Sequence, residues 1–127
     1  MSEAAGLSIM VWSCGPDAAD RAATPFMVAQ AAAAMDMQVE MLFTAQALHW
    51  LLREQQATPI GFGPERMAVG RYVEAVADAG VELRACSQAL AALQYGKDDL
   101  VPQCAGLGGT VAFVERTFDP AWRTLVF

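Results

Sequence analysis

Apolar positions recur along this chain in two periods, and the alternation between them lays out the fold. Leu7–Ser13 (LSIMVWS) is a near-continuous apolar run of strand length, the pattern of a strand buried on both faces of a parallel sheet. Cys14-Gly15-Pro16-Asp17 breaks the run and reads as the loop that follows it. Thr24-Pro25 has the form of an N-cap followed by proline at the first helical position. It opens an alanine-rich helix from Pro25 to about Met35, alanine being the best helix former. Gln38–Thr44 is a second strand, and Ala45–Gln55 follows as a helix with Leu48, Leu51 and Leu52 on one face. Ala57–Pro64, with two prolines and two glycines, is expected to be a loop serving as a lid or a partner contact.

A third helix is expected over Glu65–Ala79, turning Met67, Tyr72, Val73 and Val76 inward, with Gly80 at its C′ position. Period two then returns: Val81, Leu83 and Ala85 alternate with Glu82, Arg84 and Cys86. From Ser87 the spacing is helical, with Leu90 and Leu93 three apart and alanines between them, until Gly96. Residues 97–109 (KDDLVPQCAGLGG) read as a loop, Gly108–Phe118 as a fourth main helix and Trp122–Phe127 as a terminal strand. The order β-α-β-α-α-β-α-α-β implies an α/β fold: a three-layer α/β/α sandwich with a mainly parallel central sheet. At 127 residues without an internal repeat or linker, one domain spanning 1–127 is expected. Trp50, Trp122 and Phe127 read as core rather than interface.

Composition narrows the setting. Hydrophobic residues make up 55% of the chain, yet no stretch reaches the ~18 apolar residues of a membrane span. The opening MSEAAGLSIMVWSC lacks a basic region and carries Glu3, unlike a signal peptide, so a cytoplasmic, reducing location is expected. The net charge of −6 argues against nucleic acid or an anionic membrane as partner. So much apolar content in so short a chain implies a buried subunit interface. Three cysteines, an odd number, argue against a disulfide framework and leave thiol chemistry open.

Cys86 is the focus of that chemistry. It sits at the carboxyl end of a strand where a helix begins at Ser87, the edge of an open α/β sheet at which ligands bind. A helix amino terminus presents unpaired N–H groups and positive partial charge, which favour a nucleophilic thiolate. The plainer reading is a small buried hydrophobe. Arg84, two residues earlier on the same strand face, is placed to stabilise a thiolate or persulfide anion, or is simply a surface arginine. Cys14 and Cys104 follow or precede other elements at what reads as the same sheet edge, so either is a possible second thiol. No CxxC occurs, and the single His49, in ALHWLL, reads as a helix-surface or partly packed residue; no metal site is expected. Gly106-Leu107-Gly108-Gly109 opens a helix and offers backbone N–H groups to an anion, or is simply a tight loop; it matches neither a P-loop nor a dinucleotide fingerprint.

The order of these features resembles the DsrE/DsrF-like (TusD-like) family of sulfur-relay proteins. The resemblance runs over nearly the whole chain: the GPD loop after strand one, PFMVAQAAAAMDMQVEMLFT, AQALHWLL, GVELRACSQALA after a helix ending in DAG, and AGLGGTVAFVERT before WRTLVF. It implies a compact α/β fold assembled as a trimer, hexamer or mixed hexamer. It also implies a cytoplasmic sulfur carrier, or sulfurtransferase subunit, with persulfide on the cysteine of RACSQA, here Cys86. Sulfur-donor and sulfur-acceptor proteins would be its partners. From the residues themselves, the helix beginning at Ser87 would stabilise the sulfur anion, helped by Arg84 and the N–H groups near Gly106–Gly109, Gly108 and Gly109 among them, and thiol exchange calls for no metal or organic cofactor. Two other functions stay open: a thiol-redox protein pairing Cys86 with Cys14 or Cys104, and a non-catalytic oligomeric binding module.

Overall fold

The computed structural model describes residues 5–127; residues 1–4, including the Glu3 weighed against a signal peptide, lie outside the described residues. In chain order the elements are β1 (Gly6–Val11), α1 (Ala23–Ala34), β2 (Gln38–Phe43), the two-residue strands β3 (Pro59–Ile60) and β4 (Met67–Ala68), α2 (Val69–Asp78), β5 (Glu82–Cys86), α3 (Ser87–Ala92), β6 (Cys104–Gly108), α4 (Thr110–Phe118) and β7 (Trp122–Val126). Five strands form one parallel sheet in the order β6-β5-β2-β1-β7, and β3 and β4 pair separately and antiparallel.

Register divides the sheet into two unlike faces. Leu7, Ile9 and Val11 lie level with Val39, Met41 and Phe43, and these with Leu83 and Ala85, and all are buried. That face carries the main core, joined by Phe26 of α1, whose ring centroid is 5.6 Å from Phe43 and 5.7 Å from Tyr72. Buried Ala29 and Ala32 let α1 lie close to its neighbours, which is what the run of alanines is for. The opposite face carries Ser8, Glu40, Glu82, Arg84 and Cys86 in register.

The handedness of parallel crossovers explains this division. From β1 to β2, β5 and β6 the chain steps in one direction along the sheet, and right-handed connections keep those helices on one face. The last connection reverses, from β6 back past the whole sheet to β7, so α4 must cross the other face. There α4 packs on β1 and β7. The fold is therefore α/β, three-layered, with a parallel central sheet. Among the described residues no helix is long and apolar enough to cross a membrane.

Several sequence expectations are corrected. Residues 97–109 are not simply a loop: Cys104–Gly108 forms the edge strand β6, in which glycines give no strand signal. Ala45–Gln55 is not an α-helix but two 3₁₀ turns, Ala45–Leu51 and Arg53–Gln55, broken at Leu52. Trp50, Leu51 and Leu52 are all fully buried, so no single helical stripe can serve them. Leu52 instead bridges to Leu100, and the Gln56 side chain donates to the carbonyls of Trp50 and Leu52. α1 starts at Ala23, directly after a 3₁₀ turn at Pro16–Arg21, so Thr24 is not its cap. Part of the expected lid, Pro59–Ile60, pairs with Met67–Ala68, which shortens the third helix to Val69–Asp78 and leaves Met67 exposed. Gly80 does stand at C′ of that helix, with φ +92°, closed by Val81 N–H to Val76 O at 3.0 Å. Trp50 and Trp122 are buried and Phe127 is half-buried.

One ion pair fixes α4 to the sheet. Arg116 donates from Nη2 to Glu40 Oε1 at 2.9 Å and from Nε to Oε2 at 3.3 Å, while Ser8 Oγ donates to the same carboxylate at 3.0 Å. Its guanidinium also lies 3.7 Å from the centre of the Trp122 ring. Hydrogen bonding to Glu40 raises the Arg116 pKa further above its usual value, against the smaller opposing effect of burial. Arg116→Ala should lower unfolding stability by about 1–2 kcal/mol, because it strands a partly buried carboxylate and unstacks Trp122. Arg116→Lys should restore less than half of that, having no planar fork. Denaturant midpoints unchanged in both variants would contradict this role.

Candidate functional site

The reversal of the chain at β6 makes a crevice. β5 and β6 are neighbours, but the chain leaves β5 into α3 on one face and leaves β6 into α4 on the other. Adjacent parallel strands whose connections part in this way open a cleft at their carboxyl ends, where ligands of α/β proteins bind. Cys86 is the last residue of β5, and its register partner is Gly108, the last residue of β6. Cys86 also stands at the N-cap position of α3, with φ −65° and ψ 122°. The period-two to helical switch at Ser87 encodes this position directly.

The thiol is 2% exposed in the single chain. The segment Ala45–Leu51 packs on β2, β5 and α3, at the carboxyl edge of the sheet. Trp50 anchors it, donating from Nε1 to the Cys14 carbonyl. Gly15 is required beneath it: a Cβ there would fall 2.6 Å from Gln46 Cβ. On the other side of Cys86 the backbone is less crowded, for a Cβ on Gly109 would meet nothing within 4 Å. Ser87, the first residue of α3, is exposed.

Arg84 shares the sheet face of Cys86 but turns elsewhere. Its Nη2 donates to Glu82 Oε2 at 3.0 Å and its Nη1 to the Leu107 carbonyl at 3.5 Å. Its stem lies across the edge strand, since a Cβ on Gly108 would sit 3.4 Å from Arg84 Cβ and one on Gly106 would sit 3.4 Å from Nη1. The tightest neighbour of Gly108 is Leu42, whose Cδ1 a Cβ there would meet at 3.2 Å. Gly106–Gly108 belong to β6, and only Gly109 stands at the amino end of α4, so the expected four-residue glycine loop is not formed.

The three thiols are not gathered at one edge. Cys104 begins β6 level with Leu83, three residues from Cys86, or about 10 Å along the strand. Cys14 follows β1, which β2 separates from β5, a lateral step of about 10 Å. The Cys86–Cys104 separation exceeds the Cα reach of a disulfide, about 7 Å, and all three cysteines are free. His49 donates from Nδ1 to the Gln46 carbonyl at 2.9 Å and meets Tyr95 edge-on at 6.0 Å. The Tyr95 hydroxyl donates to Glu54 at 2.8 Å, a bond that chiefly raises its pKa above the usual value. Among the described residues no three His, Cys, Asp or Glu side chains are grouped to hold a metal ion. What sequence reasoning missed is the edge strand itself; the alternation of Gly106 and Gly108 around Leu107 was its one faint sign.

A parallel sheet with a single thiol at the parting of two connections marks a thiol-bearing α/β protein. The chain belongs to the DsrE/DsrF-like family, whose model matches residues 8–127. Members of that family act with partners in sulfur relay. Among solved structures the chain is similar to the YchN protein from E. coli, at 14% identity and a TM-score of 0.75, over 96% of this chain and 99% of that one. It is also similar to the protein of unknown function MTH1491 from Methanobacterium thermoautotrophicum, at 16% identity and a TM-score of 0.63, over 95% and 96% of the two chains. No match was found among curated proteins.

Proposed function

We propose that this chain is a single-domain, cytoplasmic sulfur-carrier subunit that holds sulfane sulfur as a persulfide on Cys86. The observation that carries the reading is the placement of Cys86 at the carboxyl end of β5 beside Gly108, in a chain of a sulfur-relay family. In loading, the Cys86 thiolate attacks the outer sulfur of a donor persulfide. A new S–S bond forms to Cys86, the donor's own S–S bond breaks, and its electron pair leaves with the donor thiolate. In unloading, an acceptor thiolate attacks the same outer sulfur and Cys86 departs as thiolate. Neither step needs a metal or an organic cofactor. In this reading the N–H groups that open α3 at Ser87 and the backbone at Gly108 and Gly109 stabilise the sulfur anion, while Arg84, engaged with Glu82 and the Leu107 carbonyl, holds the edge strand.

The burial of Cys86 adds a requirement: a donor protein reaches it by displacing the cover of the crevice, whereas an ion as small as polysulfide enters as that cover fluctuates. Exposure of the cysteine in isolation would instead invite loss of the sulfur to any thiol. The same burial is the observation that favours a non-catalytic binding module, in which Cys86 only packs. The thiol-redox alternative through Cys104 has no such support, since the register sets that thiol three residues from Cys86 along the strands.

Intact mass after incubation with inorganic polysulfide separates the readings, using Cys14→Ser/Cys104→Ser protein so that Cys86 is the one thiol present. The carrier reading expects a gain of one sulfur atom, reversed by dithiothreitol and lost on adding Cys86→Ser. No gain, with Cys86 also inert to a small alkylating agent in the folded protein, would contradict it and leave the binding module.

Assembly follows from surfaces that one chain leaves bare. α4 presents exposed Val111, Val114 and Phe118 on one stripe, and β7 presents exposed Val126 beside it. The face of β5 and β6 that carries Glu82 and Arg84 is only partly covered, whereas parallel sheets bury both faces. The chain is therefore proposed to form a homo-oligomer, trimer or hexamer, or a mixed hexamer. Light scattering should give a mass of three chains or more for the wild type, and a smaller one for Val111→Glu/Phe118→Glu. A monomeric wild type at micromolar concentration would contradict the homo-oligomer.

A further inference from the structure

Two cavities adjoin near the amino end of β6, away from the crevice at Cys86. The larger, about 390 Å³, is lined by Arg53, Lys97, Leu100, Pro102, Cys104 and Leu107, among others. The second, about 320 Å³, shares Arg53, Val101 and Pro102 with it and extends to Gln56 and Glu74. Each is of the size that takes a small organic ligand. The charges are distributed unevenly between the two lobes. Arg53 donates its Nε–H to the Asp98 carbonyl at 3.2 Å, which fixes the side chain and leaves the terminal amino groups for another partner. Lys97 is exposed beside the same cavity. The nearby carboxylates of Glu54 and Asp99 are engaged, by the Tyr95 hydroxyl and by the Gly96 N–H. Glu74 supplies the acidic group of the second lobe.

Cys104 lies in the basic lobe. Its Sγ is 3.3 Å from the Gly106 carbonyl, and among the three cysteines it alone is not buried. The cleft therefore combines an accessible thiol, two cations, an apolar wall and, farther along, a carboxylate. We propose that it binds a small zwitterionic thiol peptide of the glutathione class, and that Cys104 is a site of reversible mixed-disulfide formation with it. Ligand carboxylates face Arg53 and Lys97, and the ligand ammonium faces Glu74. The Cys104 thiolate attacks one sulfur of the ligand's disulfide. The Cys104–sulfur bond forms, the ligand S–S bond breaks, and one ligand thiolate leaves and takes up the proton that Cys104 gave to solvent. Cys104 is oxidised and half of the disulfide is reduced. The site stands independently of the sulfur-carrier reading, because Cys86 takes no part.

The test is incubation of the full chain with oxidised glutathione, with adducts located by peptide mass mapping. The neutral hydroxyethyl disulfide serves as a parallel reagent. The expected result is a glutathionyl adduct confined to Cys104 and absent from Cys104→Ser. Arg53→Ala/Lys97→Ala should form it roughly fivefold more slowly, the scale of exposed ion pairs, while reacting with hydroxyethyl disulfide at the wild-type rate. An unchanged glutathione rate in that variant would overturn the proposal. So would equal slowing toward both reagents, which would show a disturbed Cys104 rather than a lost binding site, or adducts spread evenly over the three cysteines.

Discussion

A parallel crossover must turn right-handed to lay its helix back on the sheet, and this chain has to cross its sheet twice in opposite directions. Moving outward from β1 to β6, it deposits its helices on one face and builds the main core there. Returning from β6 to β7, it carries α4 over the other. Two things depend on that reversal. The carboxyl ends of β5 and β6 part to make a crevice, and Cys86 and Gly108 are the residues at its lip. The face under α4 becomes the polar one, where Ser8, Glu40 and Arg116 must satisfy each other.

Packing at the crevice sets how the thiol is used. Cys86 is nearly closed off, and at the same edge a 3₁₀ segment anchored through Trp50 and fitted against Gly15 packs on β2, β5 and α3. Such a segment is short, makes poorer hydrogen bonds than an α-helix and is joined to the sheet at a few points. A partner pressing on it has little regular structure to unmake. The same crevice is flanked by the incompletely covered half of the polar face, so assembly and access concern adjoining surfaces.

Much of the sheet was legible in the sequence because burial on both sides leaves a plain signature: LSIMVWS and QVEMLFT have no other economical reading. The strand-to-helix change at Ser87 was equally plain, since it is a change of period within one segment. Where the reading failed, chain-distant contacts had overridden local pattern. The glycines of β6 carry no strand propensity; Gly106 has φ +155°, and a Cβ on Gly108 would press on Leu42 Cδ1 at 3.2 Å. Leu48, Leu51 and Leu52 mimic one helical stripe, but Leu52 is recruited to Leu100, nearly fifty residues on, and the helix breaks. Without β6, the sequence puts Cys104 at the wrong end of the sheet and leaves Arg84 without its Leu107 partner. Position along the chain gave Cys86; neighbours in space were needed to say what surrounds it.

The claim on which the account rests is that Cys86 holds transferable sulfur, and cyanolysis measures that most directly. Cyanide removes the outer sulfur of a persulfide as thiocyanate and leaves the thiolate. After loading with polysulfide and desalting, the account predicts about one equivalent of thiocyanate per chain from Cys14→Ser/Cys104→Ser protein, and none once Cys86→Ser is added. Equal release with and without Cys86, or release from neither, would contradict it.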